Sequence, residues 1–351
     1  MENNYKVTIG ATGDILLHKR LYDKAIKEDG SGYDFTDMLA EARNLFKKEH
    51  LIIVNQESII AGEEIGLSDF PRFNSPVEIG YQLKDLNVDI VNIANNHVLD
   101  HGEKGLLKSI ENWEKIGLPY VGAYKSVEDQ ETLRIFHKNG LKICFLSYTM
   151  STGLGKRPKG KTYLCNEYKD ISPKWLREII NRIRWNFLAD VIVVSIHFGK
   201  EYHMLPTSSQ LEIANDIADV GADIIIGHHP HVLQPPAFLT DSRGRDVFVA
   251  YSLGNFFSGQ IGLYRQIGAY MTIEVEKKLQ SNGSLLKIYN PTFKLTFVDS
   301  SDNKDYKLRL LKDVVEEQET IKTNVGEFNS KMVYERMITH MKKWIPDLNI
   351  S

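Results

Sequence analysis

Ala222-Asp223-Ile224-Ile225-Ile226-Gly227-His228-His229-Pro230-His231 is an apolar run that ends at a glycine and continues as three histidines in four positions. A short apolar run bounded by Gly and Pro reads as a buried strand. Imidazoles placed directly after it would cost stability unless they are paired or bind a metal. The same pattern recurs along the chain. The strand predicted at 6–11 leads to Gly13-Asp14, and that at 51–54 runs into Asn55-Gln56-Glu57. The strand at 89–93 leads to Asn95-Asn96-His97 with Asp100, and that at 191–196 ends at His197.

Helix-period segments lie between these strands at 19–27, 35–48, 103–115, 173–188 and 208–220. A further helix starts at Ser75-Pro76-Val77-Glu78, where Ser75 can cap and Glu78 can close a capping box. Alternating strands and helices predict an α/β fold. Asn139-Gly140 marks a type I′ hairpin within 133–148. The Gly-, Lys- and Pro-rich stretch 152–161 reads as a mobile loop over the site. The apolar spacing at 331–345 predicts an amphipathic helix packed on the body. The expected organisation is one domain over 1–300 and a helical extension over 301–351.

Composition narrows the function classes. Of the 351 residues, 42% are hydrophobic and 25% charged, which argues against disorder. The net charge of −3 gives no basic excess, so nucleic acid is not an expected partner. The start of the chain lacks the pattern of a secretory leader, and no run approaches the ~18 apolar residues of a membrane helix. The expectation is a cytoplasmic chain that does not insert into a membrane. Cys144 and Cys165 form neither a disulfide framework nor a C-x-x-C metal pair.

Taken singly, the polar clusters have ordinary readings: Gly-Asp is common turn chemistry, and a lone His197 is more often a hydrogen-bonded core residue. Together they converge, because the carboxyl ends of strands in an open α/β sheet share one ligand-binding edge. Asp14, Glu57, Asn96, His197, His228 and His231 form a mixed oxygen and nitrogen donor set without thiolate. That set suits one or two divalent ions, with Mn, Fe or Zn favoured over Mg alone. Six donors suit two ions sharing a carboxylate, which can clamp a displacement at phosphorus. His97 is the candidate general acid. Asp100 either orients His97 or caps the helix that follows.

The motifs Gly13-Asp14, Asn55-x-Glu57, Ala94-Asn95-Asn96-His97-x-x-Asp100-x-Gly102, Ser195-x-His197-x-Gly199, Gly227-His228-x-Pro230-His231 and Ser252-Leu253-Gly254-Asn255-Phe256 occur in order. As a set, over roughly residues 5–260, they resemble the poly-γ-glutamate capsule-synthesis (CapA-type) family, a branch of the calcineurin-like metallophosphoesterases. The resemblance implies a four-layer αββα sandwich with the metal site at the carboxyl ends of the strands. It puts the six donors at ligand positions and His97 at the catalytic-acid position. It places Asn55 and Asn255 near the substrate, and leaves His229 between the matching histidines as a non-ligand.

Three departures stand out. Leu16 occupies the position of the second ligand in the usual Asp-x-His, with His18 a weak substitute. Glu57 replaces the usual Asp, and the closing His-x-His is widened to His228-x-x-His231. The expected function is hydrolysis of a phosphoester or a γ-glutamyl polymer through metal-activated water, with a polyglutamate synthase complex as the possible assembly. Lys156, Arg157, Lys159 and Lys161 are candidate cations for an anionic polymer. The alternative is a non-catalytic binding or assembly protein for polyglutamate synthesis that keeps the fold.

Overall fold

The computed structural model describes residues 4–280, 283–300, 306–323 and 325–351. Eight strands carry the architecture: β1 (Asn4–Leu16), β2 (His50–Gln56), β3 (Ile90–Asn92), β4 (Tyr120–Val121), β5 (Arg134–Lys138), β6 (Leu141–Thr149), β7 (Val191–His197) and β8 (Ile224–His228). β1 to β4 pair in parallel within a nine-stranded sheet, which continues from β1 through the antiparallel strands Ile267–Gln280 and Gly283–Asp299. β6, β7 and β8 are parallel neighbours in a second, six-stranded sheet.

Side chains along these strands alternate between two apolar environments, as the period of two requires. Leu51 and Ile53 of β2, Val191 and Val193 of β7, and Ile224 and Ile226 of β8 meet in one cluster between the sheets. Ile52 and Val54 face a second cluster with Leu83, Leu106 and Trp113 of helices Glu78–Asp85 and Gly102–Ile116. Ile192, Val194 and Ile225 face a third, with Ile180 of helix Pro173–Asn186 and Ala214 of helix Ser208–Val220. Helices thus pack on the outer faces of both sheets. Strands buried on both faces must be apolar throughout, so these runs read as continuous rather than alternating.

Several local expectations hold. Asn139 and Gly140 take φ of 50° and 80° between β5 and β6, as a type I′ turn demands. The helix expected at 208–220 forms as Ser208–Val220, and it starts on a capping box between Thr207 and Gln210 that was not anticipated. The box expected at Ser75 does not form. Ser75 is buried and its hydroxyl donates to Ser58 Oγ at 2.6 Å, while Glu78 accepts from the Tyr33 amide at 3.4 Å. Tertiary partners there outcompete the cap. The helix predicted at 35–48 is only Ala40–Leu45, because buried Phe35 and Phe46 anchor its flanks against the core and Phe46 turns extended.

The residues after 305 share the core of the rest. Lys307–Leu310 and Asn349–Ile350 both pair with Gly283–Asp299, and helix Ser330–Met341 inserts Val333, Met337 and Met341 between the sheets. This segment therefore contains strands as well as helices. The division expected at 300/301 falls beside residues 301–305, which lie outside the described residues.

Candidate metal centre

The five polar strand ends come from both sheets and meet at one shared edge. Register sets part of this. Asp14 aligns with Asn55 of β2 and with Asn255 of strand Asn255–Ser258, Asn55 aligns with Asn92, and His197 aligns with His228. Two glycines allow the close approach. A Cβ on Gly13 would run into the Gly254 carbonyl oxygen, and one on Gly227 into that of Tyr251.

Asp14 is fully buried and saturated with donors. Its Oδ1 accepts from Asn55 Nδ2 at 2.8 Å and His228 Nδ1 at 3.0 Å. Its Oδ2 accepts from the His229 amide at 3.3 Å and His231 Nδ1 at 3.1 Å. Burial alone would raise its pKa, but the hydrogen bonds from His228 and His231 outweigh burial and hold it well below the carboxylate range. Behind it runs a buried relay: Ser147 Oγ donates to Asn92 Oδ1, and Asn92 Nδ2 donates to Asn55 Oδ1 at 2.9 Å. Asn55, expected at the substrate, therefore has both ends of its amide engaged inside the protein.

Glu57 is the opposite case. It is 0% exposed, and neither carboxylate oxygen accepts a hydrogen bond among the described residues. Its nearest basic groups are His197 Nε2 at 3.4 Å and His231 Nε2 at 3.6 Å from Oε1. Burial raises its pKa well above the usual value. A buried carboxylate with idle oxygens and imidazoles around it is the arrangement expected of a cation site. Two groups of donor atoms, each within 4.8 Å of one another, share it: Asp14, Glu57 and His197, and Glu57, His229 and His231. Two ions about a shared carboxylate would fit these residues.

Asn96 Oδ1 lies 2.9 Å from His197 Nε2, at the edge of the first group. His228 is held on Asp14 and belongs to neither group. His229, expected to be a bystander, joins the second, and its Nδ1 is buried with no hydrogen bond among the described residues. His229 and His231 sit at φ of 100° and 58°, a conformation side chains rarely adopt and one that commonly marks functional strain. Asn255 was legible only as nearby. Its Oδ1 lies 3.1 Å from His231 Nδ1, and its Nδ2 donates to the Arg265 carbonyl at 2.8 Å.

His97 Nδ1 lies 2.7 Å from Asp100 Oδ2, which also accepts from the Phe73 amide at 2.7 Å. Asp100 thus orients His97, and the helix after it begins at Gly102 without a side-chain cap. Asn95 shapes the turn by accepting from the His97 amide at 2.9 Å. Phe73 packs edge-on between the rings of His97 and His18. His18 Nδ1 lies 3.2 Å from its own chain's Leu16 carbonyl, and Leu16 itself is buried. An open cavity of about 270 Å³ is lined by His97, His231, His18, Arg20, Tyr202 and Arg265. A larger depression of about 560 Å³ beside Ile288 and Leu348 contains none of these donors.

The loop at 152–161 is tied down. Arg157 pairs with Glu167 at 2.6 Å and with Asp170, and Lys161 with Glu103 at 2.6 Å. Arg157 and Lys161 are therefore already engaged, whereas exposed Lys156 and Lys159 have no ion pair among the described residues.

Residues 8–260 match the family described as "Bacterial capsule synthesis protein PGA_cap". The chain belongs to that family. Among relatives, "PGA biosynthesis protein CapA" of Bacillus subtilis is 36% identical over 51% of this chain and 44% of its own length. "Capsule biosynthesis protein CapA" of Bacillus anthracis is 29% identical over 73% of this chain and 61% of its own. A "Probable polyglutamine synthesis accessory protein" of Mycobacterium tuberculosis is 21% identical over 56% and 51%. The chain spans about half the length of the curated relatives it matches. Among the described residues no helix is long and apolar enough to cross a membrane.

The histidines set a pH signature for the metal-free protein. Burial lowers His231, but the carboxylates of Glu57 and Asp14 outweigh it and raise the imidazole to about 9. Its stabilisation is complete below the unfolded value of ~6.5 and is lost as pH rises through 9. Burial, then repulsion from His231, lowers His229 to about 4. An imidazole held neutral costs stability as pH falls below ~6.5, since the unfolded chain gains the proton. Urea midpoints of chelated protein should therefore fall on both sides of neutrality. A midpoint still climbing from pH 7 to 10 would refute the His231 assignment.

Proposed function

We propose that this chain is a metal-dependent hydrolase of capsule synthesis, built on a metallophosphoesterase-like four-layer αββα sandwich. It would cleave a phosphoester or a γ-glutamyl polymer. The observation that carries this reading is Glu57, a buried carboxylate whose oxygens accept no hydrogen bond among the described residues, shared by two groups of imidazole and carboxylate donors. Asp14, Glu57, Asn96, His197, His229 and His231 would hold one or two divalent ions. His228 would act through Asp14. Such an ion supplies Lewis acidity and a nucleophile from water at neutral pH, and the donor set suits Mn, Fe or Zn.

The chain's own residues do the rest. Asp100 fixes the ring of His97 through Nδ1, which leaves Nε2 to give a proton to the leaving oxygen. The relay Ser147–Asn92–Asn55 keeps Asp14 aimed. Asn55→Ala, which removes the amide bonded to Asp14, is expected to weaken metal binding ~10–100-fold, as outer partners of metal ligands typically do. Competition with a chromophoric chelator reads this, and unchanged affinity would remove the relay from the site.

A second reading rests on Leu16, buried where a further ligand would stand, and on the relative named as an accessory protein. In that reading the chain assists a polyglutamate synthase without turnover. Elemental analysis of protein purified without chelator, with assays on a generic phosphodiester and on poly-γ-glutamate, separates the two. Near-stoichiometric metal with turnover supports the hydrolase. Metal-free protein that neither reloads nor turns over leaves the assembly role.

A further inference from the structure

Arg265 stands out among the cations of the site cavity. Its half-buried guanidinium has no hydrogen bond or ion pair among the described residues, and Glu201, which lines the same cavity, is not within ion-pair distance. It is nevertheless held firmly. The guanidinium lies 3.7 Å from the centre of the Tyr202 ring, a close stacking contact. Tyr202 sits at φ of 64° and donates its amide to the Pro230 carbonyl at 2.8 Å, within the histidine loop. The Tyr202 ring is 6.2 Å from that of His231. The Arg265 backbone is fixed separately, by Asn255, which also contacts His231. Two independent tethers thus join a planar cation to the residues around the candidate metals.

A stacked, pre-oriented guanidinium with its fork unused is suited to bidentate capture of a carboxylate or phosphate. The geometry points to Arg265 as the anion-recognition residue of this site, gripping an acidic group next to the bond that reacts, with Arg20 adding charge to the same cavity. This inference rests on the hydrolase reading for its substrate but not for its binding chemistry. It also supplies the cation that Arg157 and Lys161, already paired, do not.

Calorimetric titration of the full chain, metal-free and metal-loaded, with orthophosphate and with γ-linked triglutamate tests it. Arg265→Met should weaken binding of at least one probe by about tenfold or more, the scale of a charge-assisted pair. It should also flatten the salt dependence of binding. Metal content and thermal midpoint should match the wild type. Loss for phosphate alone assigns a phosphate group, loss for triglutamate alone a carboxylate, and loss for both a general anion site. Should Arg265→Met fold poorly, Arg265→Lys decides, since it keeps charge but loses the fork and the stacking. Its expected loss is smaller but measurable, at about threefold or more. The inference is overturned if the folded variant binds both probes as the wild type does, or if the wild type binds neither at millimolar concentration. A chain that takes up no metal yet loses anion binding in the variant would sink the hydrolase and keep this site.

Discussion

Glu57→Gln is expected to abolish binding at the candidate metal centre while leaving the metal-free protein as stable as before or more so. Both candidate donor groups share this carboxylate, so its loss removes a ligand from each. The expected fall in metal affinity exceeds the ~10–100-fold that follows from disturbing an outer partner. Stability moves differently because burial holds the Glu57 pKa well above the usual value. A raised carboxyl contributes stability below its unfolded value of ~4.5, and that contribution is lost as pH rises through the folded one. Gln carries no such loss; it also gives up the Glu57 charge that raises His231, a contribution the wild type itself loses as pH rises, and Asp14 remains as a partner for His231. Urea unfolding of chelated proteins at pH 6 and pH 9 should show a gap in favour of the variant that widens with pH. Full metal content in Glu57→Gln would refute the site as described.

Asp14→Asn should have the largest effect on the fold itself. The substitution is nearly isosteric, so no cavity forms. It turns one acceptor oxygen into a donor facing donors and removes the charge opposite the raised imidazole of His231. Breaking a buried pair at one partner costs about 3–5 kcal/mol, because the other charge stays buried. The loss should shrink above about pH 9, where His231 releases its proton. A deficit below about 1 kcal/mol at pH 7, from urea midpoints of metal-free protein, would mean that His231 is not held charged by Asp14.

Most of the residues gathered at the site were legible because their types sit badly where they stand. Asp14, Glu57, Asn96, His197 and the histidines after β8 each follow an apolar run, where a polar group needs a reason. Asn92 gave a weaker signal of the same kind, a lone amide within the buried run at 90–93. Ser147 gave none, since serine in a strand is unremarkable until the second sheet brings it to Asn92. Tyr202 and Arg265 were invisible as well. They lie 63 positions apart, and only the packing of the histidine loop against the segment after Asn255 stacks them.

What the sequence determined by itself was the alternation of buried strands and helices, the order of the motifs that carry the family resemblance, and the oxygen and nitrogen side chains at the strand ends. All three depend on residue type and local spacing, which the chain carries along its length. What only the tertiary structure decided was how the donors divide: His228 held on Asp14, His229 turned towards Glu57, Asn55 spent inside a relay, and the loop arginine locked in ion pairs. Those outcomes depend on which hydrogen-bonding partner comes nearest after two sheets stack. Competition among partners brought together from distant positions leaves no trace in the spacing of any one segment.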